Sequence, residues 1–146
     1  MKSTTVPILR YQDADKAIEW LCSTIGFEVF LNVPGKKVPG QSASGKATVE
    51  HARLILGDSM IMIATLGREG DFDGTFVSPL SLGGITQCAS LFVEDPKVIY
   101  DRVVKSGVEI VEELAEFEFG GSTFCFKDIE SHMWVITSHD PWKKLW

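Results

Sequence analysis

At 146 residues the chain is one domain's worth, long enough to bury roughly 68–70% of its unfolded surface, and 45% hydrophobic with 23% charged residues is ordinary globular composition. A net charge of −6 argues against nucleic-acid binding, since the only basic-aromatic patch is Lys143-Lys144 beside Trp142 and Trp146 in the tail. No apolar run approaches the ~20 residues that span a bilayer, and Cys22, Cys88 and Cys125 are too few and too dispersed for a disulfide framework, which fits a reducing cytoplasm.

Val6 to Tyr11 is short, apolar and β-branched, so it reads as a strand, with Pro7 near its start or at an edge. Asp13 then offers an N-cap, Ala14, Ala17, Ile18, Leu21 and Ile25 recur at helical spacing, and Gly26 suits the left-handed position that ends a helix. Phe27–Val33 is a second strand, and the Gly/Ser/Pro/Lys composition from Pro34 to Gly45 marks a long loop. Thr48–Leu56 and Met60–Leu66 form a hairpin around Gly57-Asp58-Ser59. Residues 67–85 read as a linker, and its Phe72, Phe76, Val77 and Leu80 imply that it packs on something.

From Thr86 the pattern returns. Cys88–Val93 is a strand, Asp95-Pro96 opens a helix that runs through Val98, Ile99, Tyr100, Val103 and Val104 to Gly107, and Val108–Val111 starts the next strand. An acidic run, Glu109–Glu118, fits the solvent side of an edge strand, where charge opposes aggregation. Ser122–Phe126, the turn Asp128–Ser131 and Met133–Thr137 complete the series. A shift of 81 lays Asp13…Gly26-Phe27 on Glu94…Gly107-Val108, so the chain is an internal duplication. The expected fold class is α+β: two βαβββ repeats forming curved mixed sheets with a ligand cleft. Repeat one spans 5–66, the linker 67–85, repeat two 86–138 and the tail 139–146, all within one domain.

On these residues the chain resembles the vicinal oxygen chelate superfamily, also called the glyoxalase/bleomycin-resistance/dioxygenase fold. The resemblance rests on Val6–Asp13, on Ala17-Ile18-Glu19-Trp20-Leu21…Gly26-Phe27-Glu28, and on Asp128-Ile129-Glu130-Ser131-His132-Met133-Trp134. His51-Ala52-Arg53-Leu54 is similar to a strand of its PhnB-like branch. The superfamily includes isomerases, dioxygenases, thiol transferases and antibiotic-binding proteins, so the likeness speaks for fold more than for chemistry.

The resemblance implies a divalent metal held by His, Gln or Glu from four strands, with open positions for a chelating substrate. Those four positions fall on Val6, Ile63, Cys88 and Val135, and a lone thiol makes no site. No metal and no cofactor are therefore expected. The cavity candidates under the family pattern are His51, Arg53, Ile63, Cys88, Thr123, Cys125 and Val135. His51 and Arg53 are two apart on a strand and point the same way, a pair suited to an anionic or polar ligand, or to acid/base work by His51. Ile61, Ile63, Met133, Val135 and Thr137 are expected to alternate inward, with Met60, Met62 and Trp134 under the helices. Cys88 and Cys125 read as small apolar filler, since no cation or helix N-terminus stands near them to activate a thiol. The functional expectation is metal-independent binding of a small organic molecule by a cytoplasmic homodimer, with neither nucleic acid nor membrane as partner. The alternative is a lyase/isomerase or dioxygenase-like enzyme with a non-standard site around His51.

Overall fold

A computed structural model describes residues 1–36, 48–67 and 74–144. The chain divides into two compact units, Met1–Leu82 and Gly83–Trp146, and each contains a four-stranded mixed sheet. In the first unit the strands are β1 (Ile8–Tyr11), β2 (Glu28–Pro34), β3 (Val49–Leu56) and β4 (Ser59–Thr65), in the spatial order β1-β4-β3-β2. In the second they are β5 (Ala89–Phe92), β6 (Ile110–Glu116), β7 (Ser122–Lys127) and β8 (Met133–Thr137), in the order β5-β8-β7-β6. The first strand of each set runs parallel to the last, and the other neighbours are antiparallel. This is the expected βαβββ duplication.

In unit one the Asp13 carboxylate accepts the Lys16 N–H at 3.1 Å and opens α1 (Ala14–Trp20). The helix then widens into a π turn, Leu21–Ile25, and stops at Gly26, whose φ of 107° no β-carbon tolerates well. Ala14, Ala17, Ile18, Leu21 and Ile25 are buried along one side. On the sheet, Ala52 pairs with Ile63 and Leu54 with Ile61, and all four are buried. Each fully buried Leu or Ile contributes about 1.5–3 kcal/mol, so this layer is the main source of the unit's stability.

The alternation along β4 is the reverse of the expected one. Ile63 is 0% exposed, in the layer α1 covers, while Met60 and Met62 are half-buried on the opposite face. The hairpin turns explain the reversal. Leu56 pairs with Ser59 across a two-residue turn, whereas Lys127 pairs with Met133 across a five-residue one. Because side chains alternate with a period of two, the tight turn starts β4 on its covered face and the wider turn starts β8 on its open face.

In unit two the Asp95 carboxylate accepts the Lys97 N–H at 3.0 Å and Pro96 begins α3 (Pro96–Ser106). The helix ends at Gly107, with φ 78° and its N–H on the Val104 carbonyl. The cap is thus Asp95, not the Glu94 that a uniform shift of 81 selects. Asp13 and Asp95 are 82 apart while Gly26 and Gly107 are 81 apart, and the π turn in repeat one takes up the extra residue. Beneath α3 lie Phe124, Phe126, Trp134 and Ile136, all fully buried, as expected for Trp134. Tyr100 meets Phe124 edge-on at 5.1 Å, and its hydroxyl donates to Glu113. The acidic run is largely β6 itself, an outer strand of its sheet.

Between the sheets the chain holds a short helix, α2 (Pro79–Leu82), inside the expected linker; the fully buried Ser78 accepts the Ser81 N–H. Residues 37–47 of the expected loop, and Phe72, lie outside the described residues.

Candidate ligand-binding faces

The face of the first sheet opposite α1 is built in cross-strand rows. In one row Ile8 pairs with Met62, Met62 with Arg53, and Arg53 with Leu31. In the next, Arg10 pairs with Ala64, and His51 with Val33; continuing the β3–β4 ladder by one step sets His51 opposite Ala64. Ile8, Leu31 and Val33 are 42%, 37% and 39% exposed, so this surface is apolar and open to solvent. The half-buried side chains of Arg53 and His51 stand on it, while Arg10 on the same face is buried.

His51 and Arg53 do come together. The Arg53 Nε donates to His51 Nε2 at 3.0 Å. In this geometry the His51 ring nitrogen is the acceptor and the Arg53 guanidinium the donor. Among the described residues that is the only hydrogen bond of the Arg53 side chain, and neither terminal amine is matched by a carboxylate. Arg10, at 6% exposure, has its guanidinium carbon 4.4 Å from the centre of the Phe76 ring. This cation–π contact tethers the segment after β4 to the sheet.

The corresponding face of the second sheet carries Thr123 opposite Thr137 and Cys125 opposite Val135. Its polar atoms are engaged within the fold. Thr123 Oγ1 donates to the Ile136 carbonyl at 3.0 Å, and the Cys125 thiol lies 3.7 Å from Glu112 Oε2. Burial, followed by the charge and hydrogen bond of Glu112 and the neighbouring Cys88, pushes the Cys125 thiol up from its ordinary value. It is a poor nucleophile. Cys88 is exposed and precedes β5 rather than lying within it, as the sequence pattern had it. Of the sequence candidates, Thr123, Cys125 and Val135 share one face of the second sheet. His51 and Arg53 share the open face of the first, and Ile63 belongs to the covered layer behind it.

These residues do not fit the metal that the fold implies. Val6 and Val135 have no donor atom, Ile63 has none and is buried, its open-face neighbour Met62 offers only a thioether, and Cys88 stands alone. Among the described residues no three His, Cys, Asp or Glu side chains are grouped to hold an ion. His132 serves its turn through its backbone, which donates to Asp128 Oδ1 at 3.1 Å.

Arg10 and Ala64 were absent from the sequence candidates, whereas Phe76 was expected to pack on something and does so on Arg10. A charged residue inside the apolar strand Ile8-Leu9-Arg10-Tyr11 was the available signal, since Arg10 shares a face with Ile8. A separate cleft of ≈ 450 Å³ opens in the second unit between Phe119–Gly121 and the tail, lined by His139, Asp140, Lys143 and Lys144. No helix among the described residues is long and apolar enough to cross a membrane.

The family model for the Glyoxalase/Bleomycin resistance protein/Dioxygenase superfamily matches residues 4–136. Among solved structures, TioX from Micromonospora sp. ML1 is 28% identical, with a TM-score of 0.65 over 95% of this chain and 100% of that one. UcmS2 is 19% identical with a TM-score of 0.69, covering 95% and 100% of the two chains. The fosfomycin resistance protein FosX from Listeria monocytogenes is 12% identical with a TM-score of 0.65 over 97% and 96%, a likeness of fold. No curated protein matches the chain. The chain belongs to the Glyoxalase/Bleomycin resistance protein/Dioxygenase superfamily.

Proposed function

We propose that this superfamily member binds a small, partly apolar organic molecule, an antibiotic or a metabolite, on an open strand face, without a metal or cofactor and without covalent chemistry. The observation that carries this reading is the open face of the first sheet, where an apolar floor of Ile8, Met62 and Leu31 surrounds the Arg53 guanidinium, which donates to the His51 imidazole. Apolar surface with a few fixed polar groups is the ordinary composition of a small-molecule site. On the second unit's own sheet, Cys125, Thr123 and Val135 offer shape alone, because their polar atoms are already hydrogen-bonded or absent. Sequestration follows from this chemistry: the molecule is removed from solution by stoichiometric binding.

Within the superfamily we assign the chain to the PhnB-like branch on His51-Ala52-Arg53-Leu54, and to the cytoplasm on its three free cysteines. We further propose a homodimer, supported by the apolar side chains that β2 leaves exposed, with Phe30 at 61%.

Thermal-shift screening of aromatic and glycopeptide compounds tests the proposal, with each hit repeated in excess EDTA. A ligand at a hundred times its Kd stabilises the fold by about 2.7 kcal/mol, well within reach of the method. At least one compound is expected to raise Tm equally with and without chelator. A screen with no shift, or shifts that EDTA abolishes, overturns the reading.

A further inference from the structure

We propose that the open face of the first sheet is a carboxylate site, so that the molecule bound there is an organic acid with a flat apolar body. The inference rests on the small-molecule reading above and names its ligand class.

The geometry of Arg53 supplies the argument. A guanidinium has two edges that can grip a planar two-oxygen group, one made by Nε with a terminal amine and one made by the two terminal amines. His51 Nε2 occupies the Nε position at 3.0 Å. The edge formed by the two terminal amines keeps its donors, and no carboxylate among the described residues meets them. A carboxylate matches that edge with two parallel charge-assisted hydrogen bonds, and the His51 contact fixes the plane in which it must arrive.

Charge and the apolar surroundings agree with this. Ala64, the smallest side chain in its row, is flanked by Arg10 and by His51, and Met62 in the adjacent row separates Ile8 from Arg53. Ala64 and Arg10 are only 2% and 6% exposed, so that row is closed over, and the cation left partly open to solvent on this face is Arg53. The strand residues of this face include two arginines and one carboxylate, Glu28, which pairs with Ile55 toward the other end of the sheet. Ile8, Met62 and Leu31 share the cross-strand row of Arg53 and form an apolar floor beside it on which an aromatic body can lie, and the pliable thioether of Met62 adapts to its outline.

Isothermal titration of the full chain with 2-naphthoate, its neutral analogue 2-naphthamide and inorganic phosphate tests the assignment. The acid is expected to bind at least ten-fold tighter than the amide and than phosphate. Arg53→Gln, with its fold checked by circular dichroism, is expected to remove that preference while leaving amide binding as it was. Arg53→Lys retains the charge without the fork and is expected to restore part of it. Equal affinity for acid and amide overturns the carboxylate site and leaves the small-molecule reading standing. Phosphate binding as tightly as the acid overturns the role of the apolar floor. Retention of the preference in Arg53→Gln overturns the role of Arg53. Absence of binding by all three overturns the carboxylate site, and the small-molecule reading falls with it only if the wider thermal-shift screen is also silent.

Discussion

Asp128 is almost wholly buried and accepts three hydrogen bonds, from the N–H groups of Glu130 and His132 and from Trp134 Nε1 at 3.0 Å. It therefore holds both the turn before β8 and the largest side chain in the second unit's core. Asp128→Ala would leave three buried donors without acceptors, and a loss of about 3 kcal/mol is expected in urea denaturation. Two thiols, half-buried Cys22 and buried Cys125, make a prediction in pH. Burial raises both Cys22 and Cys125 from 9.0, with Glu112 adding to the effect at Cys125. A folded value above the unfolded one means the proton favours the fold: that stabilisation is complete below about pH 9 and is lost as pH rises through the raised values. Tm is expected to fall as pH rises above 9, and less steeply in Cys125→Ala. Iodoacetamide followed by mass spectrometry at pH 8 should label exposed Cys88 well before Cys125.

The helices obey their local chemistry closely. Asp95→Ala removes the side chain that accepts the Lys97 N–H and is expected to cost about 1 kcal/mol in the same urea titration. Such caps were legible in the sequence, as were the glycine stops, both hairpins and the order of elements, because each depends on residues next to one another in the chain. Two features were not. The face that Ile63 takes depends on how many residues a turn uses, which decides the phase of the strand leaving it. The π turn at Leu21–Ile25 leaves no pattern distinct from an α-helix, yet it moves the repeat offset from 82 to 81. The candidate site divided along the same line. The pairing of His51 with Arg53 followed from simple alternation within β3, whereas the approach of Phe76 to Arg10 joins segments more than sixty residues apart and has no local signature.

At the scale of the whole chain, the net charge of −6 and a pI near 5.0 set its colloidal behaviour. Solubility should pass through a minimum near pH 5, measurable as turbidity across a pH series, since repulsion between copies vanishes there. Sedimentation at neutral pH is expected to give twice the 16.1 kDa of one chain. Phe30→Glu should return the protein to monomer if β2 forms the contact. The duplication also placed two outer strands at equivalent positions and gave them opposite characters. β2 presents Val29, Phe30, Leu31 and Val33 to solvent, while β6 carries Glu112, Glu113 and Glu116. An adhesive border in one half and a self-repelling one in the other can zip to a like neighbour once but cannot propagate a ribbon.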